Sequence, residues 1–294
     1  MGNRTVLNEK QIQEIRTLAR GKRQELGFLG EPPVAKDIFM ILDRLNIKLL
    51  EYPISSESEK PAFSAALIYS KESNQELVFI GLNTADYFDR QIFAVAQELY
   101  HFYIKSGSHL SRPEEEVSNI IEAQANRFAA EFLLPESTLQ NVAFQEFGTY
   151  SLLKSQTRVL LRFIARLQCT WWLPYRSIVK RLKEINAISV KQYDKLYSID
   201  ERDMFSEYGR IGKAIDNDIF LRLNTITNNI GTSPKNIEII IRNYEDGIIS
   251  EDKFVDTLGL FHKKPDDFGY TFKIPDEDIL EWNAFFDREA EHGD

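Results

Sequence analysis

The chain has 294 residues, 43% hydrophobic and 28% charged, with a net charge of −9. That is enough chain to bury a core in two or more domains, and its composition excludes a mostly disordered protein. A single cysteine, Cys169, excludes an internal disulfide framework; with no apolar leader behind Met1 and no run long enough to span a bilayer, the expected setting is cytoplasmic and no membrane partner is expected.

In chain order, residues 8–26 place Ile12, Ile15, Leu18 and Ala19 at helical spacing, and Gly27, Gly30 and Pro32-Pro33 close that helix. A second helix is predicted from Val34 to Leu45. Ile47 to Tyr52 reads as a short strand, and 53–61 as loop. Ala65–Tyr69 and Leu77–Leu82 are apolar runs of strand length joined by a turn-rich segment, the pattern of a hairpin. Arg90 to Lys105 is apolar nearly all round, which predicts a buried helix. Another helix is predicted from Glu114 to Leu134, stopped by Pro135, with Ala125, Ala129 and Ala130 permitting close approach to a neighbour. Beyond 150 the pattern is mostly helical: an amphipathic stretch over Leu152–Gln168, two short helices within 173–197 with a turn near Asn186-Ala187, and helical patterns over 203–229 and 234–260. Within the last of these, Gly247 is expected to end one helix and Ser250 to cap the next. The acidic stretch from Lys263 on is expected to be partly ordered.

The buried helix carries Gln97-Glu98-Leu99-Tyr100-His101, one residue short of the zinc-hydrolase pattern H-E-x-x-H. Positions 97 and 101 share a helix face, and Glu98 lies beside them, where a general base would reach a bound water. Glu122 on the next helix offers a third ligand of the catalytic zinc type, and Asn126, one turn on, a group to orient it. His262 and His292 are remote in sequence and read as surface residues, and Cys169 as a small buried hydrophobe.

The run Phe93 to Phe102, followed by Glu122-Ala-Gln-Ala-Asn126-Arg-Phe-Ala-Ala and ending at Pro135, resembles the ImmA/IrrE family of zinc-metallopeptidase-like proteins. The likeness covers roughly 10–200 and is looser outside the two motifs. It implies zinc held at 97, 101 and 122 with Glu98 as catalytic base. It also implies a cytoplasmic regulator that cuts or antagonises a helix-turn-helix repressor, in mobile-element induction or stress responses. The departure is Gln97, whose neutral carbonyl oxygen is a weaker zinc donor than imidazole. Three readings follow. The fold is degenerate and catalytically dead, a pseudoenzyme that grips a repressor, toxin or other partner; or metal persists through Gln97 or a relocated ligand such as His109; or His101 is merely a hydrogen-bonded core histidine. Zinc is accordingly expected to be weak or absent.

Charge is uneven. Residues 154–184 hold eight cations against the single acid Glu184, a net +7 that leaves −16 for the remainder. Lys154, Arg158, Arg162 and Arg166 recur every four residues as one stripe, with Arg176, Lys180 and Arg181 beyond. Interleaved with Trp171, Trp172 and Tyr175, they form a candidate surface for a protein partner or a nucleic acid, and a direct DNA-binding regulator is a further alternative. The bland readings are that the aromatics are core and that the cations are solvated or dock on the chain's own acidic tail.

The expected fold is α+β: a mostly helical, zincin-like core around a small antiparallel sheet of about three strands, with a helical C-terminal region. The expected divisions are a peptidase-like core over 1–150, a basic helix and helix-turn-helix-like segment over 151–200, and a helical region with an acidic tail over 201–294.

Overall fold

A computed structural model describes residues 6–55, 63–72, 75–105, 107–111 and 120–272; the acidic tail beyond Phe272 lies outside the described residues. Helix α1 (Glu9–Glu25) starts at a capping box in which Asn8 and Gln11 exchange side-chain and backbone hydrogen bonds. A 3-10 turn (Ala35–Asp37) leads into α2 (Ile38–Arg44). Strands β1 (Ile47–Tyr52), β2 (Ala65–Glu72) and β3 (Gln75–Asn83) follow, then α3 (Phe88–Ile104), β4 (His109–Ser111), α4 (Ile120–Leu133) and α5 (Glu136–Phe147). The rest is helical apart from β5 (Gly231–Thr232): α6 (Thr157–Trp171), α7 (Tyr175–Glu184), α8 (Val190–Tyr197), α9 (Glu207–Ile215), α10 (Asn217–Leu223), α11 (Pro234–Glu245) and α12 (Glu251–Gly259).

The α+β class is as expected, but the sheet is larger than three strands and mixed rather than antiparallel. Its order is β4-β2-β3-β1-β5. The β2–β3 hairpin is antiparallel, whereas β1 runs parallel to β3 with Ile47 opposite Val78. The hairpin sets this: once β2 folds back on β3, β1 takes the free edge of β3. β4 and β5, three and two residues long, are too short to show a period of two. Thr232 fixes β5 to β1, its hydroxyl donating to the Leu49 carbonyl at 2.5 Å.

One further departure has a local cause. The predicted 203–229 helix is broken at Asp216, whose extended backbone ends α9 while its carboxylate caps α10 by accepting from Ile219 N–H at 3.0 Å. The predicted Glu114–Leu134 helix is present from Ile120 to Leu133, and its expected start lies outside the described residues. As expected, Gly247 lies between α11 and α12 with φ +67°, and the Ser250 side chain caps α12.

The chain divides into two compact units, residues 1–235 and 236–294. In the first, one apolar core runs from Ile15 to Leu223 and continues across positions 150 and 200. In the second, Tyr244 and Phe254 stack at 4.4 Å, with Tyr270 edge-on to both.

A buried ion network lies inside the first unit. Glu131 of α4 is 4% exposed. It meets Arg127 at 2.9 Å, Arg181 of α7 at 3.1 Å and Arg16 of α1 at 3.3 Å, and it accepts the Glu136 backbone N–H at 3.0 Å. Arg181, 1% exposed, also donates to the Leu134 carbonyl at 3.2 Å. Burial alone would raise the Glu131 pKa, but Arg181 and Arg127 outweigh it and hold the group below its ordinary value of 4.5. A carboxylate with a lowered folded pKa lends stability that is complete above the unfolded value and is lost as pH falls through the folded one. Acid unfolding followed by far-UV circular dichroism is therefore expected to steepen below about pH 4.5, and Glu131→Gln to flatten that loss. Arg181→Ala, which removes the most buried of the three cations around Glu131 and leaves Arg127 and Arg16, is expected to destabilise the fold in urea denaturation by up to about 3 kcal/mol.

Candidate functional site

Helix α3 is the frame of the site. Its first turn is anchored by Asp89, fully buried, which accepts from Gln168 of α6 at 2.9 Å and from Arg202 at 2.8 Å. Its last turn ends at Lys105 in the left-handed region, φ +52°. Between these ends Gln97, Glu98, Leu99, Tyr100 and His101 are all buried. A helix that is apolar nearly all round can hold such polar groups only if a neighbour meets them. That neighbour is α4, which lays Phe128 against Tyr100 at 5.5 Å and buries Ala125 and Ala129.

The predicted site residues do converge. His101 Nε2 stands 3.2 Å from Glu122 Oε1, and both side chains are essentially without solvent access. The Gln97 amide donates to Asn126 Oδ1 at 3.2 Å, and Asn126 Nδ2 donates to the Glu122 carbonyl at 3.0 Å. Glu98, also fully buried, lies on the same helix between the two. Asn126 thus contacts position 97 directly and Glu122 through the backbone. A further link was not legible in the motif: the Tyr100 hydroxyl, its pKa raised chiefly by burial, donates to Gln124 Oε1 at 3.0 Å. Residues 100 and 124 flank the motif positions, and only the pairing of the two helices brings them together.

Two ligands of one tetrahedral zinc, each at about 2.0–2.1 Å, stand roughly 3.3 Å apart. The His101–Glu122 separation matches that spacing. The full donor set does not match a catalytic zinc site, because the third position supplies a neutral amide engaged with Asn126 instead of an imidazole. Among the described residues no three His, Cys, Asp or Glu side chains cluster as a metal set. The side chain of His109, the relocated-ligand candidate, lies outside the described residues. A cleft of about 460 Å³ between α1 and the start of α5 includes Arg16, Arg20, Arg23, Glu31 and Glu136 among its lining and none of the motif residues.

The basic stripe is largely engaged within the chain. Arg158 pairs with Glu207 at 3.4 Å, Arg166 with Glu146 at 2.6 Å and Arg176 with Glu201 at 3.2 Å. Arg181, expected on a partner-binding surface, is instead inside the ion network, because α7 turns it toward acids on α4 and α5 that its own helix does not reveal. Lys154 and Arg162 are exposed and Lys180 is half-buried. Trp171, Trp172 and Tyr175 belong to the apolar core, so they offer no stacking platform to bases. Cys169 is buried, its thiol pushed up to about 12 chiefly by burial, which fits a packing role. His262 is exposed and His292 lies outside the described residues.

No helix among the described residues is long and apolar enough to cross a membrane. No curated protein matches the chain. Residues 43–167, from the end of α2 through most of α6, match the profile of the Peptidase_M78 family, described as the IrrE N-terminal-like domain. With strands β1 to β4, the buried Q-E-x-x-H helix and the Glu122 helix all inside that span, the chain carries an IrrE N-terminal-like domain over these residues.

Proposed function

We propose that this chain is an ImmA/IrrE-type regulator that grips a protein partner, such as a helix-turn-helix repressor, and has lost most or all zinc-dependent cutting. The observation that carries this reading is the engagement of Gln97. The side chain at the first ligand position donates to Asn126, while His101 and Glu122 remain in contact beside it. A scaffold that retains its shape but lacks an imidazole keeps its binding surface more readily than its chemistry.

Incubation with the repressor encoded beside its own gene tests this. A stable complex by light scattering with the partner intact on a gel is expected. Cleavage that disappears in Glu98→Gln would contradict the reading, because it would show a working base on an occupied site.

The 3.2 Å spacing of His101 and Glu122 supports residual, weak metal binding as a second element of the proposal. Purified protein is expected to hold well under one zinc per chain by elemental analysis. Gln97→His is expected to raise zinc affinity by at least about 10–100-fold, the range seen even for losses of groups that only orient a ligand. One tightly held zinc per wild-type chain would contradict it.

A further inference from the structure

The mismatch between the donor set and a catalytic zinc site leaves Gln97 with a contact to explain. α3 and α4 carry buried polar groups against one another, and they meet through three side-chain links. These are Gln97 Nε2 to Asn126 Oδ1 at 3.2 Å, Tyr100 Oη to Gln124 Oε1 at 3.0 Å, and His101 Nε2 to Glu122 Oε1 at 3.2 Å. Asn126 closes the arrangement through its 3.0 Å bond to the Glu122 carbonyl, so residues 97, 126, 122 and 101 form a continuous polar circuit across the two helices. Three of those four side chains, Gln97, His101 and Glu122, are at most 7% exposed.

We infer that Gln97 is one half of a cross-link that joins α3 to α4 without a metal. In a metal-bearing site, an ion bonded to ligands on both helices would tie them together. Here an amide bonds the neighbouring helix directly, and the glutamine has a positioning role that neither a vacant ligand position nor a random polar replacement would have. The bond is part-buried, with Gln97 buried and Asn126 half-buried, and removing one partner leaves the other short of its acceptor or donor. Leucine at 97 keeps the bulk and strands Asn126 Oδ1. The inference rests on the reading that this chain carries no catalytic zinc, but it is judged by melting rather than by cutting.

The test is thermal unfolding of the full chain in chelator and in added zinc, against buffer alone, for wild type and Gln97→Leu. Wild type is expected to melt at the same temperature in EDTA as in buffer without it, and to gain from added zinc only the small rise that weak binding at His101 and Glu122 gives. Gln97→Leu is expected to melt lower by about 2–4 °C in both media, the shift that a loss of about 1 kcal/mol gives in a chain of this size class. A wild-type midpoint that falls in EDTA would overturn the inference, because a metal already carried by the protein would then be the cross-link. A Gln97→Leu midpoint equal to wild type would also overturn it. Should Gln97→Leu fail to fold, the comparison of wild type in EDTA and in buffer decides alone. Partner cleavage, which bears on the proposed function, would leave the melting result to be read separately.

Discussion

The constraint on which the rest depends is that two helices with buried polar faces must satisfy each other. Glu98, His101 and Glu122 are 0%, 0% and 1% exposed, and Gln97 is 7% exposed. Groups of this kind cannot be left to water they do not reach, and the cost of leaving any one unpaired exceeds the modest net gain of pairing it. α3 and α4 therefore have a defined register, with 97 opposite 126, 100 opposite 124 and 101 opposite 122. Ala125 and Ala129, both fully buried, allow the approach that this register needs.

The remainder of the first unit holds that pair in place. Asp89 ties the start of α3 to α6 and to Arg202, and Glu131 ties the end of α4 to α1 and α7. Of the seven candidate cations only Arg181 is drawn into these ties; Arg158, Arg166 and Arg176 pair with other acids of the chain while remaining partly exposed. Arg181 thus serves internal geometry, while the other cations of the segment remain at the surface, three of them beside acids.

Much of this was legible in the sequence where a signal is local. β1 and the hairpin showed as apolar runs of strand length, the turn near Asn186 separated α7 from α8, and Ser250 announced its cap. The motif spacing brought His101 and Glu122 together, because i and i+4 on one helix and a small-residue helix behind it leave few other arrangements. What was not legible is what depends on distant partners. The parallel pairing of β1 with β3 follows from how the hairpin folds back, which no single strand encodes. The two-residue β5 comes from 180 residues further along and has no period to read. Arg181 looked like surface because it lies in a run of cations beyond the stripe, while two of the acids that hold it, Glu131 and Glu136, lie on α4 and α5. Asn126 was expected to orient a ligand; its contact with Gln97 required the register of both helices to be known.

The most direct measurement is an anomalous difference map at the zinc edge from crystals grown with zinc present. The expected result is at most a weak, partly occupied peak beside His101 and Glu122, with the Gln97 amide still on Asn126. A full-occupancy peak bonded at about 2.0–2.2 Å to both His101 and Glu122 would contradict a site that holds its helices together without metal.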